Sequence, residues 1–453
     1  VTGQRHGDPR RGIPRTDTLL ADPQIASYAA ALGAPRVRAV IDAVTAAARA
    51  GAVAPDAVAE EVRARLARWA ASATTLVPVL NATGVVVHTN LGRAPLTPAA
   101  REALVAAAGY VDVEFSLESG LRAGRGRGTL AALRERVPGA QAALVVNNGA
   151  AALSLAVTTC AQGRELIVSR GELVEIGDGF RLPDLIRSTG VVIREVGTTN
   201  RTHPGDYEEA IGAQTGAVLK VHPSNFVVRG FTAEVSVSAA SRIARAHGIP
   251  LIVDTGSGLL EPDPLLPDEP DAATALAEGA DLVVCSGDKM LGGPQAGIVL
   301  GRADLVEAMR RHPLARAFRA DKLTHAALEA TLRGPRGLVS DYLHAPTEEL
   351  RGRTEALAQR LRAARPDLMT DSRVVAVAGA VGGGGGAEVP LPGWALALPE
   401  ALALVLRAGR PAVVARQEGG RTLVDLRCIP VADEADLAEA LLAGLERLAA
   451  EGS

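Results

Sequence analysis

Residues Asp281–Leu300 read DLVVCSGDKMLGGPQAGIVL. Two apolar runs, Asp281-Leu-Val-Val-Cys285 and Gly297-Ile-Val-Leu300, flank a glycine-rich stretch too short to hold a crossover helix. Parallel neighbours need such a crossover, so these two strands are expected to run antiparallel through a tight connection. That connection carries Lys289, one of three lysines in the chain with Lys220 and Lys322. Arginine supplies nearly all the other positive charge and cannot release its proton in a protein, whereas a lysine amine can be tuned to react. Lys289 is therefore the first candidate for chemistry.

Upstream of this stretch, short β-branched runs recur at Ala143–Val146, Glu165–Val168, Val191–Val196, Ala217–Val221 and Pro250–Val253. Ala-rich helical stretches such as Ala239 to His247 lie between most of them. Strands buried on both faces and alternating with helices specify an α/β fold with a mostly parallel, seven-stranded sheet. Beyond Thr324 a helical region leads to five consecutive glycines, Gly382 to Gly386, read as a flexible loop with no chemistry attached. Strand-like Trp394–Leu398, Ala412–Ala415 and Thr422–Leu426 then alternate with helical Leu402 to Arg407 and Asp433 to Ala450, a smaller α+β domain.

At the other end, residues 1–15 are rich in Gly, Pro and Arg and are expected to be a flexible tail. Val37, Val40, Ile41 and Val44 share one helical face, with Gly51 as the stop. Val58, Val62, Leu66 and Trp69 make a second stripe, where Glu61 can pair with Arg65. Arg36, Arg38, Arg49, Arg63, Arg65 and Arg68 decorate the pair, a pattern shared by solvated faces and nucleic-acid contacts. The expected domains are thus a helical one at 16–72, a catalytic one at 73–325 and the small α+β one at 326–453.

A length of 453 residues fits two or three domains, and 47% apolar residues allow a large core. A net charge of -3 confines any nucleic-acid contact to a local basic patch. The three cysteines, Cys160, Cys285 and Cys428, are far apart, and no Cys/His cluster has metal-ligand spacing, so neither zinc nor a disulfide framework is expected. Arginines near the N-terminus precede no apolar segment, and no apolar run is long enough to span a bilayer. A cytoplasmic location is expected, with no membrane or DNA partner.

Ligands of open α/β sheets gather beyond the carboxyl ends of the strands. There Asn147-Asn-Gly-Ala-Ala151 follows a strand and opens a helix, so the N–H groups around Asn148, Gly149 and Ala150 can cap the helix or hold a phosphate. Gly197-Thr-Thr-Asn200 ends another strand with Thr198 and Thr199. Asp254, directly after Ile252-Val253, is either a helix cap or a ligand contact. Phosphate donors, an aspartate and a lysine at neighbouring strand ends meet the needs of pyridoxal 5'-phosphate: its phosphate, its protonated pyridine nitrogen and its aldehyde. No Walker A sequence and no GxSxG elbow competes, and Gly124-Arg-Gly-Arg-Gly128 is read as a basic loop. The eight histidines form no telling group.

The lysine stretch SGDKMLGGPQAG (Ser286–Gly297), together with LNATGVVVHTNLGRAPL (Leu80–Leu96), SRGELVEIGDGFRLPD (Ser169–Asp184), EVGTTNRT (Glu195–Thr202) and VDTGSGLL (Val253–Leu260), closely resembles the bacterial selenocysteine synthases, the L-seryl-tRNA(Sec) selenium transferases. The likeness extends from Ile13 into the C-terminal domain. It implies a fold-type I pyridoxal-phosphate enzyme with Lys289 as Schiff-base lysine. It also implies β-elimination of seryl-tRNA(Sec) to an aminoacrylyl-tRNA, followed by addition of selenium from selenophosphate. By the family pattern Arg93, Arg316, Arg319, Thr198 and Thr199 bind the selenophosphate anion. Arg316 and Arg319, three apart, are expected to point one way from a helix. The resemblance further implies tRNA recognition by the N-terminal helices and a homo-oligomeric ring of dimers, a decamer.

The sequence departs from the family pattern at Gly126 and Arg127, where an aromatic residue and Ser are usual, and at Asp178-Gly179, where Gly-Ser is usual. With aromatics only 2% of the chain, tRNA binding is expected to rest on phosphate contacts rather than base stacking. The rival readings are a pyridoxal-phosphate lyase of a free small amino acid or amino-sugar acid, and a non-catalytic tRNA-binding protein. The first predicts an incomplete N-terminal domain, the second loss of Lys289 or Asp254.

Overall fold

The computed structural model describes residues 12–71, 74–177 and 179–451. Most of the expected tail lies outside the described residues, as do Asp178, residues 72 and 73, and the side chain of Arg68. The chain forms two compact units, residues 1–79 and 80–453.

The first unit contains α1 (Thr16–Leu20), α2 (Pro23–Leu32), α3 (Ala34–Arg49) and α4 (Val58–Ala71). The two apolar stripes meet as expected, because Val37, Val40, Ile41 and Val44 share one core with Val58, Val62 and Leu66. Gly51 follows α3 with φ +81, and Glu61 pairs with Arg65 at 2.6 Å. Trp69 departs from its stripe: it is 46% exposed, with the Arg36 guanidinium 5.9 Å from its ring centre. The short helices α1 and α2 carry one buried side chain each, Leu19 and Ile25, too little for an apolar period to reveal them. Asp22 starts α2 by accepting from the N–H groups of Gln24 and Ile25.

The second unit holds the strands β1 (Val79–Ala82), β2 (Val85–Val87), β3 (Ala142–Val146), β4 (Glu165–Ser169), β5 (Glu175–Ile176), β6 (Phe180–Arg181), β7 (Val192–Val196) and β8 (Thr215–Val221). These are followed by β9 (Leu251–Gly256), β10 (Leu282–Ser286), β11 (Gly297–Gly301), β12 (Arg373–Gly382), β13 (Pro390–Pro399), β14 (Ala412–Glu418) and β15 (Arg421–Asp425). Seven of them make one sheet in the order β3-β11-β10-β9-β8-β4-β7. All pairs are parallel except those of β11, which is antiparallel to both β10 and β3. Successive residues of β10 point to opposite cores: Val283 and Cys285 join one apolar layer, Leu282 and Val284 the other. Two covered faces explain why these strands read as continuous apolar runs.

A second sheet has the order β1-β14-β15-β13-β12-β2, so residues 79–87 supply both of its edges. β2 pairs in parallel with the end of β12, Ala380 opposite Val85 and Gly382 opposite Val87. The glycine run begins at Gly382, the last residue of β12, where this pairing ends. Among the described residues no helix is long and apolar enough to cross a membrane.

Candidate active site around Lys289

The connection between β10 and β11 is a tight, hydrogen-bonded turn. Gly287 donates to Ala296 O at 2.8 Å, Gly293 to Gly287 O at 2.9 Å, and Met290 to Ser257 O at 3.0 Å. Glycine is required at 287, because a Cβ there would lie 2.8 Å from Pro294 O. The turn leaves Lys289 half-buried between the ends of β9 and β10. Burial lowers its pKa; Arg93 adds to that, while Asp254, Asp288 and Glu269 oppose it. A lysine eased toward the neutral amine can serve as nucleophile and base.

Asp254 lies in the C-terminal half of β9, which runs on to Gly256, and accepts the N–H of Gly256 at 3.0 Å. Burial pushes its carboxyl up to about 6, against the pull of Lys289, the Gly256 bond and His222. It makes no ion pair within contact distance among the described residues, so a buried carboxylate stands ready for a cationic group. On the other side of the lysine turn, Asp288 is buried and takes Arg93 Nη1 at 2.7 Å. Arg93 holds a left-handed backbone, φ 65, and the next residue, Ala94, donates to Asp288 O.

Helix α5 (Pro98–Ala107) and helix α6 (Arg127–Arg136) precede β3, and α7 (Gly149–Ala161) follows it. Asn148 caps α7 by accepting from Ala151 N at 2.8 Å. That bond leaves the N–H groups of Gly149 and Ala150 without acceptors among the described residues, as a helix start does. Gly149 has no room for a side chain, since a Cβ would lie 2.7 Å from Ser286 Oγ. Free donors at a helix start, a carboxylate with no ion pair at contact distance, and a depressed lysine suit a phosphate, a cationic ring nitrogen and a carbonyl carbon. The residues present therefore fit pyridoxal 5'-phosphate.

The remaining anion-site residues are only partly gathered. Arg319 lies beside the α7 start: it bridges Val146, and Phe318 O accepts Asn147 N at 2.8 Å. Its Nη1 is 3.4 Å from Glu114, whose carboxyl is held below its ordinary range chiefly by Arg125. Arg316 and Arg319 do not share a helix. The helix covers Pro313–Ala317, and pairing with the end of β3 turns the chain away at Phe318. Arg316 is exposed and makes no ion pair among the described residues. Thr198 and Thr199 line a cavity of about 490 Å³ with His222, Glu269 and Gly386; Lys289 is not in that lining. Thr198 Oγ1 donates to Arg201 O at 3.0 Å within its own turn.

Three features escape a reading of the sequence. His222 directly follows β8, the same strand-end position that singled out Asp254 and Lys289, so position rather than grouping was the available signal. Glu269 is buried, with Oε2 3.6 Å from His222 Nε2 and 2.7 Å from Gly386 N. The glycine run is no detached loop: a Cβ on Gly384 would sit 3.7 Å from Lys289 Nζ. Gly126 is also explained, because it is left-handed and a Cβ there would overlap the buried His325 ring.

A family model described as L-seryl-tRNA selenium transferase matches residues 79–430, and one described as selenocysteine synthase N terminal matches residues 10–49. The chain belongs to the L-seryl-tRNA selenium transferase family. The L-seryl-tRNA(Sec) selenium transferase of Moorella thermoacetica is 44% identical over 414 residues, 86% of each chain. That of Geobacter sulfurreducens is 42% identical over 463 residues, covering 96% of this chain and 98% of its own. The solved structure of D-glucosaminate-6-phosphate ammonia-lyase shares the fold, with a TM-score of 0.58 and 22% identity over 83% of this chain and 97% of that one. The expected fold-type I arrangement is thus the one found. Within the family's large domain, the lysine turn, Asp254 and the α7 start lie at the carboxyl ends of β10, β9 and β3.

Proposed function

We propose that the chain converts L-seryl-tRNA(Sec) to L-selenocysteinyl-tRNA(Sec), with selenophosphate as selenium donor and pyridoxal 5'-phosphate as cofactor. The observation that carries the reading is the depressed, half-buried Lys289 set between Asp254 and the Arg93–Asp288 pair. When bound, the cofactor supplies an electron-withdrawing ring that makes the seryl Cα proton acidic and the β-hydroxyl able to leave.

The chain's own residues do the rest. Lys289 Nζ would hold the cofactor and, once freed, take the proton from Cα as a neutral amine. Asp254 would face the cationic ring nitrogen, and the N–H groups of Gly149 and Ala150 would hold the phosphate at the start of α7 beside Asn148. Arg93, Arg316 and Arg319, with Thr198 and Thr199, would take selenophosphate, since guanidinium forks match phosphate oxygens. Burial pushes all three thiols, Cys160, Cys285 and Cys428, up to about 12. None offers a thiolate near neutral pH, which favours direct delivery of selenium over a cysteine-bound carrier.

The helical N-terminal unit, with Arg36, Arg38, Arg49, Arg63 and Arg65, would bind the tRNA, and the enzyme would act in the cytoplasm. A ring of dimers, a decamer, belongs to the same reading. Exposed apolar side chains on one segment, Val105, Tyr110, Leu117 and Leu121, support self-association. The lyase rival is disfavoured because family likeness reaches into residues 10–49 and because Geobacter sulfurreducens transferase matches nearly end to end.

The deciding experiment is selenium transfer onto purified seryl-tRNA(Sec), compared with seryl-tRNA(Ser). Transfer to the first alone is expected; release of ammonia from free amino acids without transfer would favour the lyase. Removal of residues 1–72 should abolish tRNA binding while cofactor binding persists. Light scattering checks the decamer.

A further inference from the structure

We propose that Glu269 is a positioning residue for this reaction, clamping the glycine loop Gly383–Gly386 against Lys289 and holding His222 beside Asp254. The inference rests on the function proposed above.

Glu269 lies in the connection that follows β9, and its side chain is only 4% exposed. A buried carboxylate is costly unless its charge is met. One oxygen is well used: Oε2 accepts Gly386 N at 2.7 Å and lies 3.6 Å from His222 Nε2. The other, Oε1, is buried with no hydrogen-bond partner among the described residues. Leaving a buried acceptor unmet is destabilising, so stability alone is a poor reason for a glutamate here. What the residue accomplishes is geometric. It ties the end of β8 to a loop from the second sheet, directly beside the lysine.

The loop needs such a tie. Among the described residues, the bond from Gly386 to Glu269 is the one hydrogen bond linking Gly383–Gly386 to anything outside the β12–β13 connection. Two cavities border it, one of about 490 Å³ lined by Thr198, His222 and Gly386, the other of about 400 Å³ lined by Ser224 and the loop itself. The fit on the lysine side is close. A Cβ on Gly385 would overlap Met290 Cε, and one on Gly384 would lie 3.3 Å from Ser224 Oγ. Consecutive glycines have the largest backbone freedom to lose, so the tether at Gly386 decides how Gly383–Gly386 is held, while Glu388 farther along the connection pairs with Arg229.

Hydrogen–deuterium exchange of the full-length protein, followed at peptides spanning residues 382–389, tests the clamp without turnover. Glu269→Ala is expected to raise exchange there at least tenfold, and Glu269→Gln, which keeps an acceptor for Gly386, to stay within about threefold of the parent. In selenium transfer, Glu269→Ala should lower kcat/KM for seryl-tRNA(Sec) at least tenfold, mainly through KM, with Gln restoring most of it. Should the Ala variant not fold, Glu269→Asp, one methylene too short to reach Gly386, replaces it. Unchanged loop exchange in Ala or Asp overturns the clamp. A loosened loop with unchanged kinetics overturns the positioning role. A parent enzyme that transfers no selenium breaks the proposed function instead, while the exchange result still judges the clamp.

Discussion

Two glycine-rich connections meet around Lys289, and each joins antiparallel neighbours, β10 to β11 and β12 to β13. They do opposite work. The first is braced by its own backbone hydrogen bonds and presents side chains, Asp288 to Arg93 and Lys289 to Asp254's neighbourhood. The second presents backbone alone over Gly383–Gly386, where Glu269 holds it from outside, and pairs Glu388 with Arg229 farther along. One connection supplies reactive groups; the other supplies shape. Glycine serves both, in the first by letting the turn close and in the second by letting the main chain approach the amine.

The largest expected effect breaks the first connection. Lys289→Ala should abolish the visible absorbance of the cofactor-loaded protein and lower selenium transfer by about 10³-fold or more, since both attachment and proton transfer are lost. Absorbance after reconstitution and single-turnover transfer check this.

Next comes Asp254. Its carboxyl stands at about 6, above the ordinary 3.8. Between those values the folded apo-protein keeps a proton that the unfolded chain has released, so apo stability falls as pH rises through that window. A cationic ligand stabilises the carboxylate, so cofactor binding should weaken as pH drops below about 6. Asp254→Asn should remove that pH dependence and weaken binding by about 100-fold, two decades at 1.4 kcal/mol each. Fluorescence titration of apo-protein with the cofactor from pH 5 to 8 reads both.

The second connection is sharpened by a matched pair of glycines. Gly384→Ala places a methyl 3.7 Å from Lys289 Nζ, whereas Gly419→Ala, also left-handed, meets nothing within 4 Å. Each should cost about 1–2 kcal/mol of stability from backbone strain. Only Gly384→Ala should also impair cofactor binding and transfer. Equal activity in the two variants would show that the loop contributes strain alone and no wall.

The smallest effect is expected at Arg93→Lys, which keeps the charge beside Asp288 but loses the planar fork. A rise of about tenfold in KM for selenophosphate, with kcat nearly unchanged, is the outcome if Arg93 serves as an anion fork.

The large sheet was readable because each buried strand announces itself as an apolar run, and the strand-end rule then picked out Asp254, Asn148 and Lys289. The short gap between Cys285 and Gly297 even gave the sign of their pairing. Other features were not readable for definite physical reasons. Arg316 and Arg319 are three apart, yet the chain leaves the helix at Phe318 to pair with β3. β12 hides in Ala- and Gly-rich sequence, and β1 and β2 are too short to show a period, so the second sheet was recognised only in part. His222 and Glu269 are far from each other in sequence and share no motif.

What the sequence by itself determined is the order of buried strands and the types of group at their ends: an amine, a carboxylate and a helix start. Those are local properties, set by residue type and period. Only the tertiary structure decided that the glycine run after β12 would bring Gly384 against the lysine, and that Glu269 would hold Gly386. Glycine has no side chain to carry a pattern, so where its backbone packs is settled by the parallel pairing of β2 with β12 and by the tether it finds.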